Sequence, residues 1–443
     1  MLRAHLALRL LEQEARALLT RLALVKPFAL NDPMVPAASV PIPAQAAIEA
    51  FLARGRRQLA EMVHGFIRWL RAGGGLRTPL SQVQRRFTFL RLRFNAVLTQ
   101  FDIFSSVMTQ RSQSEVGVWL SGLDVASADA ISLAGEYFTP PPIVCYLDRG
   151  HGAAIRRART RLPGGGENPV AVVRIPRERM VGSGIASSLV HEVGHQASAL
   201  LNLVNSLRPV LRGMQTTPNP DRIAWQLWER WISEIVADFW SVAKVGVAST
   251  LGLMGVVSLP RVFVMRIDVN DPHPAPWIRM RLSCAFGQAL YPDPQWAAIG
   301  QIWESFYPLE GLEPQHRRIF ALLEGSIPAF VNLLMTHRPP KLRGKSLREA
   351  LQVEGRQPLR LRELFRGWQR SRGVIYAAAP SLAFAVIGQA RADGVITPEQ
   401  ESATVGRLLT HWALRSSLDA SAICASQSRT RPAERAPELV TLH

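Results

Sequence analysis

The sequence predicts an α+β protein, mostly helical, with a small sheet and helical regions before and after it. Three observations predict this. Apolar residues recur every three or four positions through the first 111 residues and again beyond residue 282. Between these regions, Ile143-Val144-Cys145-Tyr146-Leu147 and Val170-Ala171-Val172-Val173-Arg174-Ile175 are short β-rich runs bounded by Pro and Gly. After the second run come two helical stretches, each carrying polar side chains paired four residues apart.

Residues 2–25 read as an amphipathic helix, with Leu6, Leu10, Leu11, Leu18 and Leu22 on one side and arginines on the other. Such a helix can rest on an anionic membrane, although packing against its own domain is the commoner fate. Residues 31–43 hold Pro33, Pro36, Pro41 and Pro43 and predict an extended connector. A helix over 45–72 turns Ile48, Phe51, Leu52, Leu59, Met62, Phe66 and Leu70 inward and stops at Gly73-Gly74-Gly75. Another over 80–111 repeats Val83, Phe87, Leu90, Phe94, Leu98 and Phe101 on one face. The pattern over 119–133 is weaker. The two strand runs follow, separated by a Pro/Gly loop at 161–168. Residues 262–269 suggest a third strand, and 282–364 several helices joined by Pro-containing turns. Thr397-Pro398-Glu399-Gln400 opens a last helix with a capping box. These changes of texture divide the chain into an N-terminal helix (1–30), a Pro/Ala-rich linker (31–44), a helical region (45–135), a core (136–285), a second helical region (286–425) and a Ser/Arg/Pro/Glu tail expected to be disordered (426–443).

The chemistry concentrates in the core. Val190-His191-Glu192-Val193-Gly194-His195-Gln196-Ala197 puts two imidazoles at i and i+4, one turn apart on one helical face, where both can reach one ion. Glu192 is rotated about 100° from His191, which places it beside a metal's open position rather than among its ligands. Ile185, Leu189, Val193 and Leu200 give that helix an apolar back.

Catalytic zinc takes three protein ligands and a water, so a third ligand is expected downstream. A second helix opens at Asn219-Pro220-Asp221 and carries Glu234 and Asp238 at i and i+4 among Ile235, Val236, Phe239 and Trp240. One carboxylate can ligate while the other accepts the free N–H of a ligating histidine. Glu229 is a weaker choice, about 140° away around the helix with no acid one turn on. Asp271-Pro272-His273-Pro274 and Arg279 follow. His273, held stiffly between prolines, or Arg279 could steady an oxyanion; a loop-bracing role is the alternative.

His-Glu-Val-Gly-His, then Glu-Ile-Val-Ala-Asp, then His273-Pro274 with Arg279 resembles the gluzincin metallopeptidases of family M48, the CaaX prenyl protease-like and HtpX-like enzymes. The resemblance covers roughly residues 180–285. It implies a zincin-type core, zinc held by His191, His195 and Glu234, Glu192 as general base and Asp238 as a partner behind the ligands. The implied activity is zinc-dependent hydrolysis of a peptide or protein substrate. A strand just ahead of the metal helix is then expected to offer an edge for a substrate backbone. The competing reading is a catalytically silent helical scaffold with a structural zinc site, binding an anionic partner.

Composition limits the surroundings of this core. Basic residues outnumber acidic ones 52 to 34, a net charge of +18, and only Lys26, Lys244, Lys341 and Lys345 are lysines. That balance suits an anionic partner or membrane surface, but no basic run is dense enough for a nucleic-acid arm. Cys145, Cys284 and Cys424 are far apart and form no disulfide framework, which points to a reducing, cytoplasmic compartment. No stretch reads as ~20 uninterrupted apolar residues, and charged residues interrupt any leader at the N-terminus.

Overall fold

Helix follows helix through most of the chain in the computed structural model, which describes residues 2–25, 34–150, 152–162, 165–216, 221–268, 270–371 and 373–430. The exception is one three-stranded sheet of order β1-β3-β2, formed by β1 (Ile143–Asp148), β2 (Ala154–Arg156) and β3 (Ala171–Pro176). β1 runs parallel to β3, with Ile143 opposite Ala171, and β2 runs antiparallel to it, with Ile155 opposite Val173. This mixed sheet in a mostly helical chain is the α+β arrangement expected.

Both faces of the sheet are covered, which is why its strands read as nearly continuous apolar runs. Val144 and Val172 face the N-terminal helices Leu2–Ala23, Ile42–Trp69 and Leu80–Arg111. Cys145, Leu147, Val173 and Ile175 face the other way, into the larger core around the helices Ser114–Ile131 and Ser183–Leu201. The free side of β1 is closed by side chains acting as a surrogate strand. Gln110 exchanges two hydrogen bonds with the Leu147 backbone, accepting from its N–H at 2.7 Å and donating to its carbonyl at 2.6 Å. Asp124 accepts the Cys145 N–H at 2.7 Å, and Arg111 donates to the Cys145 carbonyl at 2.7 Å. The edge left to the sheet is therefore β2. The strand directly ahead of the metal helix is β3, the central one, so it cannot be the edge that receives a substrate.

Several local expectations change. Leu6 and Leu10 are about half exposed, whereas Leu11, Leu18 and Leu22 of the expected face do pack inward, joined by Leu8 and Ala15. The third strand is absent among the described residues of 262–269: Arg261–Val264 is a single helical turn started by Pro260. The weak pattern near 119–133 is a full helix, Ser114–Ile131. Helix Pro398–Thr430 runs past the start of the expected tail, and residues 431–443 lie outside the described ones, as do residues 31–33 of the connector and the Asn219-Pro220 helix start.

Among the described residues one helix, Pro314–Thr336, is long and apolar enough to cross a membrane by length and composition, which corrects the expectation that no stretch would be. Its Phe330 stacks on Trp228 with ring centroids 4.8 Å apart, and its Phe320 packs edge-on against Trp277. One face of it, with Phe320, Leu323, Phe330 and Leu334, is buried in the larger core.

Candidate metal centre

Two helices build the centre. Ser183–Leu201 starts after Gly182, whose positive φ of 52° suits a residue without Cβ, and ends at Asn202 in the left-handed region. Arg222–Val245 is buried nearly all round by Trp225, Trp228, Trp231, Ile232, Ile235 and Phe239. Their crossing point is Gly194 against Ala237. A Cβ on Gly194 would lie 3.0 Å from the Ala237 Cα and 3.1 Å from its carbonyl oxygen. Glycine here lets the backbones approach closely enough for Glu234 to reach both histidines.

The resulting distances would suit a set of metal ligands. His191 Nε2 lies 3.3 Å from Glu234 Oε2, and His195 Nε2 lies 3.5 Å from Glu234 Oε1. Ligands ~2.0–2.1 Å from a tetrahedral ion stand ~3.4 Å apart. Among the described residues, His191, His195 and Glu234 are the group able to hold a metal, their ligand atoms all within 4.8 Å of one another. Glu229 is turned away and holds Arg212 at 2.7 Å.

Two tests of fit rest on the surroundings. Glu234 Oε2 is shut from solvent with no aligned hydrogen-bond donor, a costly state unless a cation takes its lone pair. The local charge would also suit a divalent ion. Glu192, Glu234 and Asp238 are buried acids and Arg279 is bonded to Asp238 alone, so with neutral imidazoles two carboxylates are left without a bonded guanidinium among the described residues. Without a metal, protons answer that demand. Burial pushes the His191 imidazole down, but Asp238 and Glu234 prevail and hold it up at about 9. Burial likewise opposes ionisation of Glu234, yet the three nearby histidines keep it far below the usual carboxylate range.

Asp238 lies behind the ligands. Its Oδ1 is 2.8 Å from His191 Nδ1, although the N–H is not squarely aimed at it. Arg279 grips the same carboxylate, donating from Nε at 2.6 Å and from Nη2 at 2.8 Å. Two of its donors are thus engaged in positioning Asp238, and Nη1 remains for a reacting group. His273 Nε2 lies 3.2 Å from Glu234 Oε2, and its Nδ1 is 2.8 Å from Asp271. The neighbouring Glu234 carboxylate is the main cause that raises the His273 imidazole above its ordinary value. His273 borders the ligand set but is not within it.

Glu192 is buried without a hydrogen-bonded cation, and burial raises its carboxyl above the ordinary value. It lines a cleft of about 130 Å³ with His191, Asp238, His273 and Arg279. Gly152 and Ala153, immediately ahead of β2, form another wall, as do Arg179 and Ser188. None of these four was singled out by sequence, because no spacing links them to the histidines. A larger groove of about 940 Å³ lies between Leu80–Arg111 and the far face of the sheet, away from the ligand set.

Comparison with protein-family models, with curated proteins and with solved structures finds no match to this chain.

Proposed function

We propose that this chain is a zinc-dependent peptidase with an M48-like gluzincin centre, hydrolysing peptide or protein substrates. The observation that carries the reading is the convergence of His191, His195 and Glu234, with a buried Glu192 beside them that is not part of the set. A zinc ion held by the three would supply Lewis-acid polarisation of a carbonyl and acidify a water at near-neutral pH. The protein's own groups do the rest. Glu192 takes the proton of the attacking water and passes it to the leaving amine, a role its raised carboxyl suits. Asp238, braced by Arg279, fixes the ring of His191. Arg279 Nη1, and His273 Nε2 once it turns from Glu234, would be the donors for a developing oxyanion. A substrate backbone would pair with the open side of β2, whose approach through Gly152 and Ala153 leads into the cleft.

The alternative of a structural zinc in a silent scaffold needs a fourth protein ligand to close the site. His273 is the nearest candidate; half its side chain is exposed and it lies outside the group of converging ligand atoms, which favours an open site. Zinc content of purified protein tests the ligand set: one ion per chain is expected, falling to near none in His191→Ala, His195→Ala and Glu234→Ala. Full zinc in all three variants would remove the proposal.

A further inference from the structure

Arg179 ends the short turn Arg177–Arg179 between β3 and the metal helix. Its stem passes the first turn of that helix, with Cδ 3.9 Å from where a Cβ on Gly184 would stand. Its Nη1 lies 3.6 Å from the corresponding point on Gly255. The guanidinium therefore rests over helix Val247–Val257 at the cleft wall, in space that Gly255 leaves open. Among the described residues it has no ion-pair or hydrogen-bond partner. The contrast with Arg279, bonded twice to Asp238 in the same cleft, is sharp.

Ser188 adds a second donor. It lies one turn before Glu192, is only 9% exposed and lines the same cleft. Its hydroxyl also has no partner among the described residues, whereas neighbouring Ser187 donates to the Ser249 carbonyl at 3.1 Å. A half-buried guanidinium loses hydration without recovering it from the protein. A planar anion restores that loss through paired charge-assisted bonds, and carboxylate is the planar anion a peptide carries.

We propose that the cleft selects peptides bearing a carboxylate within one residue of the bond to be cut, with Arg179 pairing to that carboxylate and Ser188 donating its O–H to it. The carboxylate has two sources, an Asp or Glu side chain or the peptide's own C-terminus. The inference rests on the peptidase reading above, so binding and cleavage are measured separately.

For binding, the full-length, zinc-loaded Glu192→Gln protein is titrated with three fluorescent peptide libraries. One is acidic with an amidated C-terminus, one neutral with a free C-terminus, and one neutral and amidated. The library that binds identifies the source, and it should bind roughly 10–100-fold tighter than the neutral amidated one, the scale of a charged hydrogen bond. Arg179→Ala in the same background should erase the preference, and Arg179→Lys should keep part of it, which separates charge loss from misfolding. Equal binding of all libraries, or a preference unchanged in Arg179→Ala, overturns the proposal. Cleavage by the wild-type chain then separates the two readings. Arg179-dependent binding without any cleavage leaves the carboxylate site and removes the peptidase. Cleavage that ignores the carboxylate leaves the peptidase and removes the site.

Discussion

Gly194→Ala probes the contact on which the proposed metal centre depends. The added Cβ would stand 3.0 Å from the Ala237 Cα, 3.1 Å from its carbonyl oxygen and 3.1 Å from the Trp240 Cβ. Comfortable contact begins near ~3.5 Å, and backbone atoms cannot rotate aside. The helices must therefore separate by roughly half an ångström, which follows from that contact distance. Zinc–ligand distances tolerate only ~0.2 Å, and Glu234 moves with its helix while the histidines move with theirs. Overpacking typically costs ~1–3 kcal/mol, and alanine returns up to ~1 kcal/mol of helix propensity over glycine. Net destabilisation of about 0–2 kcal/mol is expected on these terms. Zinc should weaken more visibly, by roughly 10–100-fold, as when groups supporting a ligand are lost. Competition against a chromophoric chelator reads the affinity, and a urea melt of the zinc-free protein reads the stability. Parent zinc affinity together with parent or higher stability would refute the reasoning.

Two predictions concern the fold around the centre. Arg111 and Asp124 form a fully buried pair that also holds the Cys145 backbone, so Asp124→Ala should cost ~3–5 kcal/mol in a urea melt while the double change Arg111→Met with Asp124→Leu costs clearly less; equal losses would contradict the argument from an orphaned charge. Burial, aided by the charge of Arg356, brings the Lys244 ammonium down from its ordinary 10.5 to about 8. Between those values the unfolded chain binds more protons than the folded one, so this group's contribution to stability rises with pH across the window. Stability of the parent relative to Lys244→Met should therefore increase from about pH 8 to about pH 10, and a flat difference would contradict it.

The parts of the fold that were legible in the sequence are those set by local periodicity. β1 and β3 lie within a residue of the two apolar runs, and the histidine and carboxylate pairs stand on the helices their i,i+4 spacing implied. What stayed hidden depends on partners distant in sequence. β2 is three residues long and exists because β3 lies beside it. Arg261–Val264 resembles a strand in composition, but it forms a helical turn whose N–H groups at Phe263 and Val264 bond back to the Pro260 carbonyl. Leu6 and Leu10 looked inward only until the position of the neighbouring helices selected Leu8 and Ala15 beside Leu11, Leu18 and Leu22. In the centre, the spacing of Glu234 and Asp238 was readable, while the engagement of Arg279 with Asp238 and the freedom of Arg179 were not. Both depend on which charge the folded chain brings alongside.

The central claim is that Glu192 moves a proton for a reaction at the His191–His195–Glu234 centre. Glu192→Gln keeps the side chain's size and removes the proton acceptor. Once a cleaved peptide has been found, kcat/KM of parent and variant at equal zinc content is the most direct test. The account predicts a variant that holds zinc, melts near the parent temperature and cuts ~10²–10⁴-fold more slowly. Cleavage at the parent rate by the fully zinc-loaded Glu192→Gln protein would contradict it.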